Sequence, residues 1–224
     1  MIAPSAAAAP AAACDSELHI FGYGSLVWRH DDDLRHTSVV PARALGWKRR
    51  FYQASPDHRG TPAAPGRVVT LVPSADAAAV VHGALFTVAP NDAAEVLARL
   101  RHRERAGYAE QLIEVCAEQQ PPPQAAPRVS GGCTVRALVF YATPENEHWA
   151  GPSAGPAACA AADAAAAAAI AVARGESGEN IEYLAQLLRA MRARGVTDEH
   201  LEALFERASA LRAAAGLPPP PPPP

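Results

Sequence analysis

Leu18 to Trp28, LHIFGYGSLVW, holds the first residues whose types and spacing suit chemistry. A short apolar run ends at Gly22-Tyr23-Gly24-Ser25, with two glycines one residue apart. Glycines so placed allow φ > 0 and let a ligand approach the backbone closely. Successive N–H groups in such a turn can converge on an anion or a developing oxyanion. The same pattern also describes an ordinary strand-to-turn punctuated by glycine. The second candidate is Glu104. Ala93, Val96, Leu97 and Leu100 recur at i, i+3, i+4 and i+7, and Glu104 lies four residues beyond Leu100. If the helix persists that far, the carboxylate faces inward and desolvation raises its pKa, as general acid–base work requires. If the helix has ended, Glu104 is a surface residue among Arg101, Arg103 and Arg105. No Ser-His-Asp or Cys-His arrangement is evident, and Cys116, in a strand-like run, reads as core filler.

Elements must position these residues. Leu18–Phe21 reads as a buried strand, Val39–Tyr52 as one or two strands, and Arg67–Val72 and Val80–Val88 as β-branched strands. Gly83, inside the last of these, marks a bulge or a close backbone approach. Asp92-Ala93-Ala94-Glu95 has capping-box spacing and predicts a helix start. Leu112–Cys116 and Val135–Ala142 are further strands, separated by a proline-bearing loop at 117–132. Ala157–Arg174 has high helix propensity but little to pack. Asn180–Arg194 predicts a better helix, with Ile181, Leu184, Leu188 and Met191 on one face. Thr197-Asp198 opens another, with Leu201, Leu204, Phe205, Ala208 and Leu211 in period, ended by Gly216.

Composition narrows the function classes. The 224-residue chain fits one domain, at 17–214, between an Ala/Pro-rich disordered tail at 1–16 and a polyproline tail at 215–224. A formal net charge of −3 gives no electrostatic footprint for nucleic acid. Trp47-Lys48-Arg49-Arg50-Phe51-Tyr52 interleaves aromatic and basic residues, but one short cluster reads more simply as a buried face with cations turned to a pocket or solvent. Asp31–Asp33 reads as a solvated loop, and no metal site is expected. Apart from the weakly hydrophobic alanine segment, no run approaches a membrane span. Four scattered cysteines, without metal-ligand spacing, are expected as free thiols in a reducing compartment. With no basic, leucine-rich leader evident, the expectation is a cytoplasmic, soluble protein without membrane or nucleic-acid partners. The proline tail offers a preformed polyproline II ligand for an SH3-type groove, or is inert low-complexity sequence.

Seven stretches, in order, closely resemble the ChaC family of γ-glutamylcyclotransferases. They are FGYGSLVW at 21–28, KRRFYQASPDHRG at 48–60, PGRVVTL at 65–71, RERAGY at 103–108, YATPEN at 141–146, AGP at 150–152 and SGENIEYL at 177–184. The resemblance implies an α+β fold built on a mixed, barrel-like sheet with packed helices. It implies cleavage of glutathione to 5-oxoproline and cysteinylglycine, without cofactor or metal. It places the catalytic glutamate at Glu104 and the substrate-binding loop at Ile20, Phe21, Gly22, Tyr23, Gly24 and Ser25. Arg49, Arg50 and Arg67 become candidates to bind the glycyl carboxylate or to support the loop, with His58 and Arg59 behind them. Tyr108, Tyr141 and Tyr183 become pocket-lining phenols or half-buried core aromatics. Tyr52 stands where the family often has tryptophan. Two alternatives remain: a cyclotransferase for other γ-glutamyl amino acids or γ-glutamylamines, and a non-enzymatic glutathione-binding protein.

Overall fold

The computed structural model describes residues 17–29, 34–104, 107–118, 133–152 and 155–220. The expected N-terminal tail, the Asp31–Asp33 triplet, nearly all of the 117–132 loop and the last four prolines lie outside these residues.

Five strands close into a barrel: β1 (Leu18–Gly22), β2 (Ser38–Leu45), β5 (Val80–Val88), β6 (Ala109–Ala117) and β7 (Cys133–Tyr141), in the order β1-β5-β2-β6-β7. All neighbours are antiparallel except β1 and β7, which close the barrel in parallel with Ile20 opposite Leu138. A separate antiparallel hairpin, β3 (Trp47–Ser55) and β4 (Gly66–Pro73), lies beside it. The helices are α1 (Pro90–Arg103), α2 (Gly155–Val172), α3 (Asn180–Arg192) and α4 (Glu199–Ala214), and a two-residue ladder pairs β8 (Arg174–Gly175) with β9 (Gly178–Glu179). This is the α+β, mixed-barrel architecture that the resemblance implies.

Strand alternation sorts the core into two clusters. Phe21, Ala42, Ala44, Val81, Leu85, Ile113, Val115, Ala137 and Val139, drawn from all five barrel strands, join a cluster that continues into the hairpin, α2, α3 and α4. The opposite faces of β1 and β5 present Ile20, Ala84, Phe86 and Val88 to Val96 and Leu100 of α1. In α3 the expected stripe is fully buried, with Ile181, Leu184, Leu188 and Met191 each 0% exposed. In α4, Leu201, Leu204, Phe205 and Ala208 are buried but Leu211 is exposed, and Arg212 turns inward instead.

Arg212 explains that exchange. It donates to the Pro218 carbonyl (2.5 Å), the Ala171 carbonyl (3.0 Å) and Glu179 Oε2 (2.7 Å), fastening the end of α2 and the chain's exit to one guanidinium. Glu179 also caps α3 in a reciprocal box with Glu182. The start of α1 differs from expectation. Its N-cap is Ala89 with Pro90 in the first turn, so the spacing at Asp92–Glu95 falls inside the helix. Proline's fixed φ and missing donor suit that position, and Asp92 then lies at the positive end of the helix dipole. Among the described residues, α2 alone has the length and composition of a membrane span, yet Ala166, Ala167, Ile170 and Ala171 are buried in the shared core.

Candidate active site

The end of β1 turns through Tyr23 and Gly24 into a 3-10 turn, Ser25–Val27, that sits at the wall of a cavity of about 940 Å³. The first amides of such a turn have no carbonyl within it to bond. The glycines serve here by lacking a side chain, not by adopting φ > 0. Gly24 has φ −116°, and neither it nor Gly22 is among the glycines with positive φ. A Cβ on Gly24 would stand 2.8 Å from Val69 Cγ2 and 3.2 Å from the Tyr183 hydroxyl. The close approach expected at Gly83 is present, since a Cβ there would stand 2.3 Å from the Gly22 carbonyl oxygen.

Glu104 falls between the two expectations for it. Helix α1 ends at Arg103 and Glu104 is its C-cap, its N–H still donating to the Leu100 carbonyl at 2.8 Å. Its side chain is 22% exposed and lines the cavity with Phe21, Gly22, Tyr23, Gly24, Ser25, Tyr108 and Tyr183. The helix therefore carries the carboxylate to the cavity although its last turn is over.

Three phenols surround this acid, and all stay protonated. Burial pushes the hydroxyls of Tyr23, Tyr108 and Tyr183 upward, and the Glu104 charge adds to the shift at each. Tyr23 donates to the Phe140 carbonyl at 2.6 Å, and Tyr108 to the Val69 carbonyl at 3.3 Å. Trp28 and Phe51 pack edge-on to Tyr183, at 5.3 and 6.0 Å between centroids.

Five expected residues lie outside the cavity lining. Ile20 points away from Phe21, as strand alternation demands, and is buried beneath α1. Arg49 is 2% exposed, not turned to pocket or solvent. It donates to the Tyr23 carbonyl at 3.1 Å, to Asp198 at 2.6 Å and to the His82 carbonyl, so it supports the loop from behind. Arg50, next along β3, donates to the Arg49 carbonyl at 2.7 Å and faces Tyr52 and His200. Arg67 folds back onto the Pro65 and Gly66 carbonyls. Tyr141 packs against Trp47 instead of the cavity.

Other residues enter the wall. His58 and Arg59 line it, as do Gln53 and Ser55. A break in the β3–β4 register between Arg50 and Gln53 re-aims this end of β3, so Phe51, Tyr52 and Gln53 are all buried. Arg103, which the sequence reading assigns no role, also reaches the site. Its Nη2 donates to Ser25 Oγ at 2.6 Å, and its Nε lies 3.8 Å from Glu104. Its place in the last helical turn, where the dipole favours cations, was the available signal.

The family model for ChaC-like proteins matches residues 18–210. The chain belongs to the ChaC-like family. The glutathione-specific γ-glutamylcyclotransferase of Saccharomyces cerevisiae is 33% identical over 88% of this chain and 98% of its own length. A zebrafish (Danio rerio) glutathione-specific γ-glutamylcyclotransferase 1 is 38% identical over 83% of this chain and 86% of its own. A crystal structure of the yeast γ-glutamyl cyclotransferase specific to glutathione superposes with a TM-score of 0.75, at 32% identity, over 89% of this chain and 98% of that one.

Proposed function

We propose that this ChaC-like chain is a γ-glutamylcyclotransferase that converts glutathione to 5-oxoproline and cysteinylglycine. The observation that carries the reading is that Glu104 and the Phe21–Ser25 turn line one cavity. The similarity to the glutathione-specific yeast and zebrafish relatives supports the substrate.

The reaction needs little machinery. The α-amine of the γ-glutamyl residue attacks its own γ-carbonyl carbon and closes a five-membered ring. A new C–N bond forms, the bond to the cysteinyl nitrogen breaks, and that nitrogen leaves as an amine. Nucleophile and electrophile are tethered, and well-oriented intramolecular cases reach effective molarities of about 10⁵–10⁸ M. The ammonium form cannot attack, so a base must take its proton and return one to the departing nitrogen. Glu104 performs both steps in this reading. The turn amides and the Tyr183 hydroxyl offer donors to the substrate carboxylate or the tetrahedral oxyanion, while the Tyr23 and Tyr108 hydroxyls are already committed to backbone carbonyls. Arg103 holds Ser25, and Arg49 holds the Tyr23 carbonyl, so the donors are fixed before substrate arrives. Cys116, Cys133 and Cys159 are free thiols, which suits a reducing, cytoplasmic setting rich in this substrate.

The test is release of 5-oxoproline from reduced glutathione by purified protein. Glu104→Gln should keep the melting temperature and lose about 10²–10⁴-fold in kcat. A variant retaining most of the wild-type rate rejects Glu104 as the base.

A further inference from the structure

A second charge stands in the same cavity, away from Glu104. Arg59 follows β3, and its side chain is 10% exposed. Its guanidinium carbon lies 5.6 Å from the Tyr183 ring centroid, and Nη1 donates to the Glu179 carbonyl at 3.1 Å. Tyr183 senses both charges: burial pushes its phenol up, Glu104 adds to the rise and Arg59 opposes it. Arg59, Glu104 and the Phe21–Ser25 turn line one cavity, so a substrate with its γ-carbonyl at Glu104 has room to extend to Arg59.

Arg59 is poorly compensated where it sits. Glu182 Oε2 is 3.8 Å from Nη1, too far for a hydrogen bond. That oxygen accepts from the Glu179 N–H at 3.2 Å to cap α3. Among the described residues, Arg59 Nε and Nη2 make no hydrogen bond. Arg29 lines the same cavity from the segment after the 3-10 turn; burial lowers the Arg59 pKa, Tyr183 and Glu182 oppose, and the Arg29 charge adds to the lowering. Those Arg59 donors open onto the cavity without a protein acceptor, and two cations facing one partly desolvated space repel. A planar carboxylate relieves both, because it accepts two parallel N–H bonds from one guanidinium and offsets the second charge.

Resting on the glutathione reading above, we infer that Arg59, assisted by Arg29, binds the C-terminal carboxylate of the tripeptide and makes that carboxylate a determinant of specificity. The other carboxylate cannot take this place. It shares a carbon with the attacking amine, so it stays at the Glu104 end during ring closure. Substrates whose leaving amine carries no carboxylate would leave Arg59 unanswered, which selects against γ-glutamylamines.

The experiment compares glutathione with its glycine amide, γ-Glu-Cys-Gly-NH₂, on wild-type, Arg59→Gln and Arg29→Gln protein. Wild type should favour glutathione by about 10–100-fold in kcat/KM, the range of one charge-assisted contact. Arg59→Gln should erase most of that preference, through KM on glutathione, by lowering kcat/KM on glutathione far more than on the amide. Arg29 is exposed, so Arg29→Gln provides a variant with little bearing on folding, and it should narrow the preference in the same sense. Equal loss on both substrates would mark Arg59 as structural and overturn the inference, as would wild type turning over both alike. Wild type that releases no 5-oxoproline from either substrate would instead sink the functional reading itself.

Discussion

At the scale of single residues, the site is built as much from absences as from groups. Gly24 carries no atom where a Cβ would meet Val69 at 2.8 Å and the Tyr183 hydroxyl at 3.2 Å. Tyr183 is held by Trp28 and Phe51 and cannot retreat freely. Gly24→Val should therefore cost about 1–3 kcal/mol from overpacking and raise KM as Tyr183 is displaced. Thermal melting and steady-state kinetics would check this, and unchanged values in both would refute it. Glycine's value at this turn was legible from spacing alone, but its reason was not. Spacing suggests φ > 0, whereas the need arises from β4 and α3 pressing on the turn, which no local pattern reports.

At the scale of elements, Asp198 couples two jobs through its two oxygens. Oδ1 accepts from the Leu201 N–H at 3.2 Å and caps α4, while Oδ2 pairs with the buried Arg49 at 2.6 Å. Asp198→Ala should lose both, whereas Asp198→Asn keeps a good capping oxygen and weakens only the pair. Urea unfolding should place Asn about 1 kcal/mol above Ala. Arg49→Met should cost more than either, on the order of 3–5 kcal/mol, because it strips the Tyr23 and His82 carbonyls as well as Asp198. Equal losses for Asn and Ala would show that the cap contributes nothing. The α4 start was readable at Asp198, and the α3 stripe was readable from its period. The inward turn of Arg49 was not. In WKRRFY, adjacent arginines look alike, and only the partners after β1, on β5 and at the cap of α4 decide that Arg49 is buried while Arg50 is not.

At the scale of the molecule, the helical layer behind the hairpin carries its own pH response. His200 of α4 and Asp163 of α2 line a small side cavity of about 260 Å³, with His200 Nδ1 3.9 Å from Asp163. Burial, then the Arg50 charge, lowers the His200 pKa from 6.5 to about 4, with Arg49 acting in the same sense and Asp163 and Asp198 opposing. The folded pKa lies below the unfolded one, so the neutral ring's contribution is fully present above pH 6.5 and is lost as pH falls toward 4. Wild type should lose on the order of 3 kcal/mol more than His200→Gln across that window. Melting temperatures of both proteins between pH 7.5 and 4.5 would check it, and parallel curves would refute it. At this scale the sequence speaks least. The β-branched runs announce β4 and β5, but the parallel closure of β1 on β7 joins segments from opposite ends of the strand region, and local period carries no record of it.

The Arg212 guanidinium links the chain's exit to the wall of the cavity. Pro218 accepts from it, it donates to Glu179, and the Glu179 carbonyl accepts from Arg59. Pro218 is thus joined to the cavity's second charge through two residues, Arg212 and Glu179. Cutting the chain before Pro218 removes one acceptor from the guanidinium that also holds Glu179, whose carbonyl accepts from Arg59.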